Sequence, residues 1–171
     1  NTGKVTFIKA GDITIVANDS ITANKNINLA IDEIVRIENL ISEWKPSSQI
    51  SAVNKYAGIK PVKVSQEVFE LTKRALRFSE ITNGAFDISI AAMDKIWRFD
   101  GSMNVLPSSE ALQKSIAHVG YEMIELNEAD LTIFLKKSGM KIGFGATGKG
   151  YAADLGKFIM QQLYVKSGIV N

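Results

Sequence analysis

The sequence contains no cysteine. Disulfides, thiolate metal sites and cysteine nucleophiles are therefore excluded, while the redox compartment stays open. Histidine is nearly absent too, with His118 alone. A Ser/His/Asp triad would have to use it, and a zinc site of several histidines is impossible. No apolar run approaches the roughly 18 residues that cross a bilayer as a helix. Charge of one sign is also scarce. The net charge is +2 and the basic residues are scattered, so nucleic acid is not an expected partner. There is no repeat, low-complexity tract or linker. Asn1 follows no methionine or leader, from which a trimmed or processed chain is expected.

What is there has the composition of a globule. A chain of 171 residues, 46% hydrophobic and 22% charged, suits one domain, or one domain plus part of another. Asp12 to Ala17 alternates and is β-branched, so it reads as a strand after which Asn18-Asp19-Ser20 turns. Thr22 to Ser42 carries Ile27, Ala30, Ile31, Ile34, Val35, Leu40 and Ile41, mostly on one face at helical spacing. Trp44 to Gly58 reads as a loop, and Pro61 to Val64 as a short extended piece. Ser65 is placed to cap a helix running to about Ile81, with Val68, Leu71, Ala75 and Phe78 inward and Asn83-Gly84 as its stop. Ala85 to Ile90 is expected to be extended or tightly turned. A helix from Pro107–Glu110 to near His118 follows, then paired strands at Met123–Leu126 and Leu131–Leu135. Lys141 to Phe144 is expected as a strand, Gly150 to Val165 as a helix, and Val165 to Val170 as a strand that begins and is cut off. The mixed order makes the class α+β.

The segment Lys141 to Asp154, KIGFGATGKGYAAD, is the most informative. Gly143, Gly145, Gly148 and Gly150 leave backbone N–H groups uncovered just before a helix. A helix start carries partial positive charge and unpaired donors, so a phosphate is its natural guest, and Lys149 adds a cation. Two familiar patterns nearly fit. Gly143 to Gly148 satisfies G-x-G-x-x-G, yet the positions about 20 residues on, Gln161 to Val165, hold no carboxylate. Gly143 to Lys149 satisfies G-x-x-x-x-G-K, yet Gly150 stands where a P-loop needs a hydroxyl. A glycine turn that merely packs tightly is the bland alternative.

Other candidates lie in expected loops. Trp44 could be a stacking platform for a planar ring or a plug at the end of the core. Asp87, between Phe86 and Ile88, could hold a ribose or an adenine amine, or cap a nearby helix. His118 reads as a helix C-terminal residue favoured by the dipole. Trp97, with Ile96 and Phe99, reads as core. Lys136-Lys137 reads as a solvated turn.

Four segments together resemble the ApbE family of FAD:protein FMN transferases, formerly described as thiamine biosynthesis lipoproteins. They are SEWKPSSQISAVN (Ser42 to Asn54), TNGAFDISI (Thr82 to Ile90), VGYEMIEL (Val119 to Leu126) and GMKIGFGATGKGYAAD (Gly139 to Asp154). The likeness runs from about Asp12 to Asn171, which makes the chain the N-terminal portion of such a domain with no internal boundary. The resemblance implies an α+β fold of mixed or antiparallel sheet with packed helices, related to the T-fold, whose C-terminal part lies beyond Asn171. It implies magnesium-dependent cleavage of FAD, transfer of FMN to a threonine of an acceptor protein, and release of AMP. Some members instead hydrolyse FAD to FMN and AMP, and a non-catalytic flavin-binding protein is a third option. Many members are extracytoplasmic, periplasmic or cell-envelope proteins with a lipid anchor to the membrane.

The resemblance assigns residues as well. Trp44 falls where an aromatic meets the flavin, and Ala85, Phe86 and Asp87 match an adenosine-contacting segment. Gly143, Gly145, Thr147 and Lys149 fall in the FAD-binding run. Ala146 matches a residue whose backbone carbonyl binds magnesium, the side-chain ligands lying further along than Asn171. No catalytic residue is assigned. Many members carry Asp where this chain has Gly143, so one contact is lost here or moved to another carboxylate. One carbonyl cannot hold magnesium, which wants near-octahedral oxygen coordination. The 171-residue chain alone is therefore expected to be weak or inactive.

Overall fold

The computed structural model describes residues 2–7, 11–93, 96 and 106–170. Trp97 and Phe99, expected in the core, lie outside the described residues. The elements in chain order are β1 (Thr2–Phe7), β2 (Gly11–Val16), α1 (Ser20–Ile41), α2 (Gln49–Lys55), β3 (Val62–Lys63), α3 (Gln66–Ile81), a 3-10 turn (Ile88–Ala92), α4 (Ser109–Ser115), a second 3-10 turn (Tyr121–Met123), β4 (Ile124–Asn127), β5 (Thr132–Leu135), α5 (Gly148–Gln162) and β6 (Gly168–Val170). They fall into two compact units, Asn1–Leu40 with Gly145–Asn171, and Ile41–Phe144. Helices with antiparallel sheets make the class α+β, as expected from the sequence.

The first unit holds an antiparallel sheet in the order β1-β2-β6. Ile13 and Ile15 lie on one face of β2 by the two-residue period and are buried. Against them α1 sets Ala23, Ile27 and Ala30, spaced four and three apart so that they share a stripe, and α5 adds Met160. Fully burying an isoleucine such as Ile27 stabilises by about 1.5–3 kcal/mol. Asp19 starts α1. Its carboxylate accepts from Thr22 N and from Thr22 Oγ1, each at 2.8 Å. Those bonds, the backbone one first, hold the Asp19 carboxyl below the usual aspartate range. The strand expected at 165–170 is shorter, Gly168–Val170, and it pairs with β2 through Ile13↔Val170.

The second unit holds a sheet in the order β3-β5-β4. Ile133 and Leu135 of β5 are buried, as are Val68, Phe69, Leu71 and Ala75 of α3. Ser65 caps α3 as expected, accepting from Val68 N at 3.3 Å. Asn83 and Gly84, with φ of 51° and 79°, end it in the left-handed region. Phe78 corrects the expected buried face. It is 49% exposed, and Ser79 turns inward instead; the Phe78 ring makes an edge contact with Phe86, centroids 6.3 Å apart.

Two further expectations fail. The segment read as a loop at 44–58 contains α2, because Ser48 accepts from Ser51 N at 2.9 Å and caps a turn that buries Ile50 and Val53. Lys141–Phe144 joins no strand ladder. A side chain replaces the partner strand there, as described next.

Candidate functional site

The polar residues of Ser42–Asn54 fasten backbone to backbone. The Ser42 carbonyl accepts from Ser48 Oγ and Ser51 Oγ, and Ser51 Oγ also reaches the Glu43 carbonyl at 3.2 Å. Asn54 donates to the Ile142 carbonyl at 3.0 Å and accepts from Ile142 N at 2.8 Å, bridging 88 positions. One carboxamide thus copies a strand's donor and acceptor, which is why Lys141–Phe144 stays extended without a ladder. Trp44, on the fastened turn, is 74% exposed. That exposure removes the plug reading.

Asp87 caps the first 3-10 turn. Its Oδ1 accepts from Ser89 N and Ser89 Oγ, each at 2.7 Å, and its Oδ2 from Tyr121 N at 2.9 Å. Ser89 Oγ in turn accepts from Gly120 N at 2.7 Å. Three of roughly four acceptor sites on a carboxylate are taken, so its geometry is that of a structural tie with one position open. Ala85 is exposed and half-buried Phe86 follows it; the Phe86 N–H goes to Thr82 Oγ1 at 3.0 Å. His118 sits three residues past α4 rather than on its last turn, and its buried Nδ1 has no hydrogen-bond partner.

The glycine run sorts into two kinds. A Cβ built on Gly143 would collide with the Glu43 carboxylate, which would have to move aside, so this glycine is crowded by packing. At Gly145 and Gly150 a Cβ would meet nothing within 4 Å, and neither has positive φ. Among the described residues, neither packing nor conformation accounts for those two glycines. Gly145 and Ala146 are exposed, Gly148 is half-buried, and Gly150 and Lys149 lie exposed on the first turn of α5.

The start of α5 also differs from the other α-helices. Asp19, Ser48, Ser65 and Ser108 each accept from a first-turn amide of the helix they precede. Thr147 precedes α5 but makes no such bond, and its buried Oγ1 has no partner among the described residues. The amides of Gly148 to Gly150 thus lack, among the described residues, the side-chain cap that the other α-helices have, with a hydroxyl beside them able to donate. Sequence reasoning gave no role to Glu43, Asn54 or Ser89. The signal for the last two was present as small polar residues flanking short helices, where capping and clamping are their usual work.

The sequence matches the ApbE family over residues 9–171, and the chain belongs to that family. It is 30% identical over 138 residues to an FAD:protein FMN transferase of Klebsiella pneumoniae, covering 81% of this chain and 44% of that protein. It is 28% identical over 137 residues to an FAD:protein FMN transferase of Treponema pallidum, covering 75% and 38%. The crystal structure of the ApbE protein of Thermotoga maritima superposes with a TM-score of 0.79 at 25% identity, over 95% of this chain and 53% of that one. The flavin transferase ApbE of Vibrio cholerae shares the fold, with a TM-score of 0.80 at 19% identity over 100% and 57%. The chain spans about half the length of these relatives or less.

Proposed function

We propose that the encoded protein is an FAD:protein FMN transferase. The reaction breaks the pyrophosphate of FAD. A threonine hydroxyl of an acceptor protein attacks the phosphorus on the FMN side, the bridging P–O bond breaks, and AMP leaves. The observation that supports this best is the uncapped start of α5 with its two open glycines and the unpartnered Thr147 hydroxyl. Those donors suit a diphosphate, and Lys149 offsets its charge. On family likeness alone, Trp44 is proposed for the flavin ring, and Ala85, Phe86 and Asp87 for the adenosine.

Magnesium is a need of this chemistry, because charge builds on phosphate oxygens. Among the described residues no group of three or more His, Cys, Asp or Glu could hold a metal ion. The residues present thus do not fit a complete site, and the Ala146 carbonyl is this chain's proposed share of one. Activity is accordingly assigned to the full-length protein, and the 171-residue chain alone is proposed to be weak or inactive. An extracytoplasmic, lipid-anchored location is also proposed, on family likeness alone; no helix among the described residues is long and apolar enough to cross a membrane.

The test is intact-mass analysis of an acceptor protein incubated with full-length protein, FAD and magnesium, with AMP measured alongside. A covalent FMN adduct with matching AMP is expected. Free FMN and AMP without adduct would instead mean a pyrophosphatase, and bound flavin without AMP a carrier.

A further inference from the structure

Glu43 has no role in the reading above, yet its side chain occupies an unusual place. A Cβ on Gly143 would run into Glu43 Oε2 and lie 3.0 Å from Glu43 Cδ and 3.1 Å from Ala91 Cβ. Gly143 is not in the left-handed region, so its backbone would accept any residue. A side chain at 143 would therefore have to displace the Glu43 carboxylate and crowd Ala91.

Neither backbone can withdraw from this contact. Gly143 N donates to the Ile88 carbonyl at 3.0 Å, and Ile142 is held on both sides by Asn54. The Glu43 carbonyl is held by Ser51, and the Ser42 carbonyl before it by Ser48 and Ser51. A long acidic side chain ordinarily stays in water, and bringing a carboxylate inward costs free energy unless it is used. Glu43 is half-buried, directly before the exposed Trp44, and it meets the segment that runs through Phe144 into Gly145.

We propose that Glu43 is a positioning residue of the flavin site: its carboxylate, seated in the notch left by Gly143, fixes the turn that presents Trp44. Residues 43 and 143 then act as one matched pair, in which a side chain is admitted at only one of the two positions. The role toward flavin rests on the transferase reading; the matched pair does not.

The experiment is a double-variant cycle in the full-length protein, read by thermal midpoint without flavin and by KM and kcat for FAD. Gly143→Ala is expected to lower the midpoint, and adding Glu43→Ala to restore most of it, because the collision is gone. Glu43→Gln keeps the shape and loses the charge. It is expected to fold normally and raise KM for FAD at least fivefold with kcat within twofold. Glu43→Ala with Gly143→Asp returns a carboxylate from the other side. It is expected to recover KM to within threefold of wild type, whereas Glu43→Ala with Gly143→Ala does not. Unchanged KM in Glu43→Gln would overturn the positioning role and leave a packing plug. A Gly143→Ala penalty that Glu43→Ala does not relieve would overturn the pair. Wild-type protein that binds no flavin would overturn the transferase reading and the positioning role together, while the midpoints would still decide the pair.

Discussion

Replacing Asn54 by alanine tests whether the glycine loop is fed by a clamped segment. The substitution removes both bonds to Ile142, at 3.0 and 2.8 Å, and strands one N–H and one C=O. Ile142 itself is fully buried. Each buried backbone group left without a partner costs about 1–3 kcal/mol. Asn54 is only half-buried, so water can reach part of the vacated space and the pair should cost about 2–4 kcal/mol. That is a large share of the ~5–15 kcal/mol that holds an ordinary domain together. Urea unfolding should show a lower midpoint at unchanged slope. Hydrogen exchange at the Ile142 amide should accelerate well beyond that of distant core amides. Asn54→Asp should cost at least as much, since a carboxylate oxygen would then face the Ile142 carbonyl. A loss under about 0.5 kcal/mol, with Ile142 exchange unchanged, would refute the clamp.

Three other perturbations bear on the helix starts. Thr147→Val removes a buried hydroxyl that has no partner, so stability should hold or rise by up to about 1 kcal/mol while FAD affinity falls several-fold, both read by urea titration and flavin fluorescence. Gly150→Ala places a methyl in open space on a helix and should stabilise by roughly 0.5–1 kcal/mol, yet weaken FAD tenfold or more by covering the bare turn. The folded-state pKa of Asp19 lies below its unfolded value, so its stabilisation is full above the ordinary aspartate pKa, about 3.9, and is lost as pH falls through the lower folded value. Denaturant stability followed down to acid pH should therefore drop less steeply in Asp19→Asn than in wild type.

What could be read from the sequence followed from short-range chemistry. Ser65 and Asn83-Gly84 bracket α3 because a cap and a left-handed stop are local signals. The α1 stripe through Ile27 and Ala30 follows from period alone, although Val35, read with them, is 42% exposed. Two of the failures came where a long-range partner decides. Lys141–Phe144 reads as a strand because its pattern is extended and apolar, but its partner is the side chain of Asn54, which no periodicity reveals. β1 went unseen because its only sequence mark, TGKVTF, is weak until β2 pairs with it. At the loop, the glycines were legible as a group. Their division into a packing glycine at 143 and open ones at 145 and 150 was not, since it depends on where Glu43 reaches.

Backbone amide shifts of the full-length protein, titrated with FAD and in parallel with riboflavin, test the central claim most directly. If the uncapped amides that open α5 take the diphosphate, Gly145 to Gly150 should shift strongly with FAD and hardly at all with riboflavin, which carries no phosphate. Equal shifts with both ligands, or FAD binding that leaves those amides unmoved, would contradict it.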